Sequence, residues 1–173
     1  MAEAAFRVKK DTDFYKNYFQ AKEERKKWRK LAKSFFIDCG LEDKNRKFYL
    51  STNLAVNLNS EERKIFENQL RTTTDKNGLW RFKAKSKMQK DWNKKVVSKV
   101  NLELIVDMEL WFWSFATVGN YALWDYKGEI YGYLMDKYKD KIELADYMVQ
   151  IKLSEYYTII EEIEENDNEK TDR

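Results

Sequence analysis

Between positions 14 and 35 the apolar residues Phe14, Tyr18, Ala21, Trp28, Leu31, Ala32 and Phe35 recur at intervals of three, four and seven. That spacing lays one apolar stripe along a long amphipathic helix. Asp11 or Thr12 supplies its N-cap, Asp13 complements the positive end of the helix dipole, and Gly40 offers a left-handed terminus. The remaining faces carry Lys22, Arg25, Lys26, Lys27, Arg29, Lys30 and Lys33 against only Glu23 and Glu24.

The period then changes. Leu54, Val56 and Leu58 alternate with small or polar residues, which predicts a strand. Asn59 and Glu62 have the spacing of a capping box and open a short helix with Ile65, Phe66, Gln69 and Leu70 as its apolar side. Asn77-Gly78 marks a turn. In the following stretch, LWRFKAKSK, Arg81, Lys83, Lys85 and Lys87 alternate with Trp80, Phe82 and Ala84. As an extended strand it would set four cations in a row, each about 7 Å from the next. Ser86 with Gln89 can cap a helix that carries Met88, Trp92, Val96 and Val100 on one side and Lys87, Lys90, Lys94 and Lys95 on the other.

From residue 101 the texture becomes aromatic and β-branched. Residues 102–115 are rich in strand formers. The stretch NYALWDYKGEIYGYL predicts a hairpin turning at Lys127-Gly128, with Asp125 and Glu129 at its shoulders. Val149, Ile151 and Leu153 predict a further strand, with a helix beginning at Asp146 as the competing reading. Ser154 caps a last helix striped by Tyr156, Ile159, Ile160 and Ile163, and the polar residues after it read as a disordered tail. The expected architecture is α+β. It is a single domain over residues 1–165, with a long N-terminal amphipathic helix and shorter helices packed on a small antiparallel sheet, and a tail at 166–173. Trp28, Trp80, Trp92, Trp111 and Trp124 lie on apolar sides and are expected to be buried.

Composition narrows the chemistry. Histidine is absent, which excludes a Ser-His-Asp triad, a Cys-His pair and histidine-ligated metals. The lone Cys39 forms no internal disulfide and reads as a packed small hydrophobe. The first ten residues lack the apolar core of a signal peptide, and no apolar run reaches the length of a membrane span. A soluble cytoplasmic protein is therefore expected. The formal charge of +3 conceals a segregation: residues 1–100 carry 26 Lys/Arg and 13 Asp/Glu, residues 101–173 only 7 against 17.

Lys22, Arg25, Lys26, Arg29, Lys30, Lys33, Arg81, Lys83, Lys85, Lys87, Lys90 and Lys94 are the candidate binding residues. Lys and Arg neutralise phosphates, and the neighbouring Tyr15, Trp28, Trp80 and Trp92 could stack on unpaired bases. Two bland readings compete: the cations as solvated faces or as protection of an exposed strand edge, and the aromatic stripes as core. Gln150-x-Lys152, downstream of Asp136 and Asp140, is similar to a metal-nuclease motif but lacks its usual Glu. The acidic run from Glu155 to Glu169 either mimics phosphates or solvates a helix. No catalytic residue, metal or cofactor is assigned.

Three stretches, DFYKNYFQAKEERKKW, NYALWDYKGEIYGYL and IKLSEYYTIIEE, together resemble small accessory proteins of phages and prophages of Gram-positive bacteria. The absence of proline and the abundance of lysine and asparagine fit the AT-rich coding of such genomes. The resemblance carries no functional residue. It implies a non-enzymatic, phage-encoded inhibitor in the bacterial cytoplasm that occludes host nucleic-acid machinery. Its partner would be a protein or ribonucleoprotein complex, most sharply a CRISPR effector. The alternatives are a direct DNA- or RNA-binding accessory protein and, more remotely, a small magnesium-dependent nuclease.

Overall fold

The computed structural model describes residues 3–41, 46, 50–71, 76, 78–108, 122–135 and 146–171. The chain is α+β, with the long N-terminal helix and the small antiparallel sheet in place. It gathers into two compact units, Met1–Gln20 with Val106–Arg173, and Ala21–Ile105.

The first unit is built on a four-stranded sheet. Strand β1 (Glu3–Val8) lies at its centre between β5 (Glu129–Met135) and β6 (Met148–Ile151), and β4 (Ala122–Tyr126) pairs with β5, so that the order is β4-β5-β1-β6. All three ladders are antiparallel. The register places Phe6 opposite Gly132 on one side and Gln150 on the other. Alternation along the strands then puts Ala4, Phe6, Val8, Ile130 and Met148 on one buried face.

The opening turns of α1 (Asp13–Asp38) cover that face through Phe14, Tyr15, Tyr18 and Phe19. Of the two candidate caps, Thr12 is the one used: its hydroxyl accepts the Tyr15 N–H at 3.4 Å and donates to the Lys9 carbonyl at 2.6 Å. The opposite face carries Trp124, Tyr131 and Tyr133, and receives the terminal helix, Leu153–Thr171, through buried Tyr156. The Trp124 indole N–H donates to the Tyr156 hydroxyl at 3.1 Å.

The expected hairpin forms. Lys127 and Gly128 both have positive φ, 51° and 79°, the two-residue turn whose twist matches that of the flanking strands. Residues 148–151 are a strand, not a helix from Asp146. The last helix starts at Leu153, so Ser154 lies in its first turn, and it continues to Thr171 through residues whose composition reads as a tail.

The second unit packs the rest of α1 against short elements. These are β2 (Ala55–Val56), α2 (Ser60–Phe66), β3 (Trp80–Arg81), α3 (Lys87–Lys95) and residues 102–105 of α4, which is helical at residues 102–108. Its core joins Trp28, Ala32, Phe35 and Phe36 of α1 to Leu54, Val56, Phe66, Phe82 and Trp92. Trp92 is the hub, with ring centroids 6.1, 5.3 and 5.8 Å from those of Trp28, Phe35 and Phe36.

The capping box at Asn59 is complete, with Asn59 Oδ1 accepting from Glu62 N at 2.9 Å and Glu62 Oε1 accepting from Asn59 N at 3.1 Å. The other Glu62 oxygen binds the Arg46 guanidinium, which also donates to the Asn57 carbonyl.

Three expectations fail here. Ile65 is 73% exposed, because only Phe66 of α2 turns inward before the chain tightens into a 3-10 turn at Glu67–Gln69. Residues 102–108 are helical despite their strand-forming composition. Asn101 caps them, its Oδ1 accepting the Leu104 N–H at 3.1 Å, and Ile105 and Met108 are buried at helical spacing.

The third failure is the four-cation strand. β3 ends at Arg81, Phe82 makes a single bridge to Leu70, and the chain turns at Ala84-Lys85. Ser86 decides it: its Oγ accepts from Gln89 N at 3.2 Å and donates to the Lys83 carbonyl at 2.7 Å. A capped helix start outcompetes the continuation of an alternating pattern.

Candidate nucleic-acid interface

The core contacts of α1 fix its rotation. With Ala21, Trp28, Ala32, Phe35 and Phe36 turned inward, Lys22, Lys26, Arg29, Lys30 and Lys33 occupy one outward flank, and all five are exposed. Arg25 lies nearer the core and is half-buried. On a helix rising 1.5 Å per residue, Lys22, Lys26 and Lys30 succeed one another at about 6 Å. Like charges at this spacing each cost roughly 0.2–0.5 kcal/mol. Of the two acids nearby, Glu23 borders the flank, whereas the Glu24 carboxylate accepts the Asn101 N–H at 2.9 Å.

Helix α3 presents a second cationic face. Met88, Gln89 and Trp92 are buried, so Lys87, Lys90 and Lys94, spaced by three and four, point away from the core into solvent. Among the described residues no ion pair engages Lys26, Arg29, Lys30, Lys87, Lys90 or Lys94.

The remaining candidates are dispersed. Arg81 is half-buried on β3, while Lys83 is exposed and donates to the Asn68 carbonyl at 3.3 Å. Lys85 sits exposed in the turn and Lys87 opens α3. The row of four is thus divided among a strand, a turn and a helix.

All twelve candidates nevertheless fall within Ala21–Ile105. That unit carries 22 Lys/Arg and 11 Asp/Glu, net +11, and the other carries 11 and 19, net −8. The charge segregation read along the chain is therefore a segregation between folded units. A field of one sign over one unit attracts polyanions and falls off with salt.

The aromatic candidates form no stacking platform. Trp28 and Trp92 are buried and packed edge-to-face. Trp80 is half-buried, with the Arg63 guanidinium 4.2 Å from its ring centroid. Tyr15 belongs to the other unit, where its hydroxyl donates to the Gly128 carbonyl. Trp124 is half-buried, and Trp111 lies outside the described residues.

Other chemistry is sparse. Gln150 and Lys152 are exposed at the end of β6, and Asp136 and Asp140 lie outside the described residues. Among the described residues, no group of acids or cysteine is placed to hold a metal, and no helix is long and apolar enough to cross a membrane. Burial pushes the Cys39 thiol up in pKa against the opposing pull of Lys95. Burial, aided by the Asp125 carboxylate that its hydroxyl meets at 3.0 Å, pushes Tyr18 up more strongly. The Tyr131 hydroxyl is raised by burial and by Glu129.

Two residues escaped the sequence reading. Gln89, read as part of a cap, is 2% exposed and uses its side-chain amide to hold the 52–54 segment. Arg71 joins Arg81 through a ladder that no local periodicity signals. No family model, no curated protein and no solved structure matches the chain.

Proposed function

We propose that this is a non-enzymatic binding protein whose cationic unit engages the phosphate backbone of nucleic acid within a host ribonucleoprotein or nucleic-acid complex, and so occludes it. The observation that carries the reading is the outward flank of α1, where Lys26, Arg29 and Lys30 stand exposed with no ion pair among the described residues. Such a flank opposes helix stability when alone and gains when a polyanion neutralises it. The α3 face of Lys87, Lys90 and Lys94 adds three further cations to the same unit. Helix side chains of this kind position a protein on a backbone without reading sequence.

The resemblance to small phage proteins supplies the setting, namely an anti-defence inhibitor with a CRISPR effector as its sharpest target. The test is capture of purified candidate effector complexes by the tagged protein, with and without nuclease treatment. Capture that is lost on digestion of the nucleic acid and on charge removal from α1 supports backbone engagement. Capture indifferent to both contradicts it. A direct DNA- or RNA-binding accessory role is the second reading, favoured by the same flank if naked nucleic acid binds as tightly as the complex does.

A further inference from the structure

Tyr156 is buried near the start of the terminal helix, Leu153–Thr171, and further along it the Asn166 side-chain amide donates to the Tyr126 hydroxyl at 2.6 Å. With Ile159, Ile160 and Ile163 half-buried between these contacts, the side of the helix that turns outward is fixed. Glu161, Glu164 and Glu165 lie on that side and are exposed, and among the described residues no ion pair engages them. Carboxylates spaced by three and four on a helix stand about 5–6 Å apart and disfavour it. The unpaired cations of α1 have the same spacing, Lys26, Arg29 and Lys30 again at i, i+3 and i+4. One helix face therefore carries three carboxylates at the pitch at which another carries three cations. The complementarity extends to the units that bear them, net −8 for the unit of the terminal helix and net +11 for that of the α1 flank.

We infer that the outward face of the terminal helix is a docking surface for a second copy of this chain, with Glu161, Glu164 and Glu165 of one copy set against Lys26, Arg29 and Lys30 of the other. A second copy presents its cations at matched spacing on a folded helix, whereas a flexible basic peptide would first have to be ordered. Charge of opposite sign on the two faces steers the encounter and fixes its register. Exposed ion pairs are individually weak and are screened by salt, so the association is weak and salt-sensitive. The inference goes beyond the proposed backbone engagement, because it needs no nucleic acid.

The test is sedimentation equilibrium of the full chain, freed of nucleic acid, over a range of protein concentrations in about 50 mM and about 500 mM salt. The mean mass of the wild type should rise above the monomer with concentration at the lower salt and return to the monomer at the higher. The triple variant Glu161→Gln, Glu164→Gln, Glu165→Gln should associate about tenfold more weakly. Asp11→Asn, Asp107→Asn, Asp146→Asn removes the same charge from other exposed positions of the same unit and should associate as the wild type does. A charge swap then tests the pairing itself. A Glu161→Lys, Glu164→Lys, Glu165→Lys protein and a Lys26→Glu, Arg29→Glu, Lys30→Glu protein should each stay monomeric alone and associate when mixed. Melting curves serve as the folding control for every variant. A wild type that is monomeric at the lower salt would overturn the inference, as would association unchanged in the glutamine variant, an equal loss in the asparagine control, or a mixture that stays monomeric. With no oligonucleotide present, each of these results leaves the backbone reading to its own test.

Discussion

Gln89 and Leu54 are joined by a buried hydrogen bond of 2.9 Å, from the Leu54 N–H to Gln89 Oε1. The same amide donates to the Thr52 carbonyl at 2.8 Å and to Asn93 Oδ1 at 3.0 Å. One side chain of α3 therefore does for the 52–54 segment what a neighbouring strand would do. Gln89→Leu should cost about 2–4 kcal/mol, since the Leu54 N–H is left buried without a partner and the Thr52 carbonyl loses its donor. Urea denaturation followed by tryptophan fluorescence measures the loss. A change below about 0.5 kcal/mol would show that the segment is held by other means.

Trp92→Ala removes the ring that meets Trp28, Phe35 and Phe36. The expected cost is about 3–5 kcal/mol, the range for a large buried aromatic. Because Trp92 ties α3 to α1, the same variant should loosen the register of the α1 flank. Amide exchange at residues 28–36 should then accelerate together with exchange in α3.

Alkaline pH should weaken the fold through Tyr18. Its proton is held more tightly in the folded chain than in the unfolded one, by burial first and by Asp125 second. The sign follows from linkage: the contribution is fully present below the ordinary tyrosine value of 10.0 and is lost as pH rises above it, where the unfolded chain releases its proton first. Stability measured from about pH 8 to about pH 11 should fall more steeply for wild type than for Tyr18→Phe. At neutral pH that variant should cost about 1.5–3 kcal/mol, the net worth of one hydrogen bond to a charged group. Parallel pH slopes would contradict the assignment.

The hairpin turn offers a stabilising change. Lys127 holds φ at 51°, a region that asparagine enters more readily than lysine. Lys127→Asn should raise stability by a few tenths of a kcal/mol, whereas Gly128→Ala, at φ 79°, should lower it by about 1 kcal/mol. Thermal melts of the two variants should therefore move in opposite directions.

Much of the fold was legible because its signals are local. The α1 stripe, the Asn59 capping box and the Lys127-Gly128 turn each depend on residues within a few positions of one another. The failures occur where two local signals collide or where a partner is distant in sequence. At Lys83–Lys87 alternation predicted a strand, but Ser86 and its bond to Gln89 fixed a helix start within the same residues. At 102–108 the cap on Asn101 and the burial of Ile105 and Met108 overrode β propensity. The basic character of the candidate interface was readable from composition. Its division into an α1 flank and an α3 face was not, because that depends on which side of each helix Trp28 and Trp92 bury. Arg71 escaped notice because its pairing with Arg81 is made by tertiary folding.

The central claim is that the α1 flank binds a phosphate backbone, and the most direct measurement is the salt dependence of nucleic-acid affinity. Wild type and the triple variant Lys26→Gln, Arg29→Gln, Lys30→Gln should be titrated with one labelled oligonucleotide from about 50 to about 200 mM salt. Glutamine preserves helix propensity closely enough that folding should be unaffected. The account predicts that the triple variant binds more weakly at every salt concentration and that its log–log slope is shallower by roughly two to three units. Equal affinity and equal slope for the two proteins would contradict it.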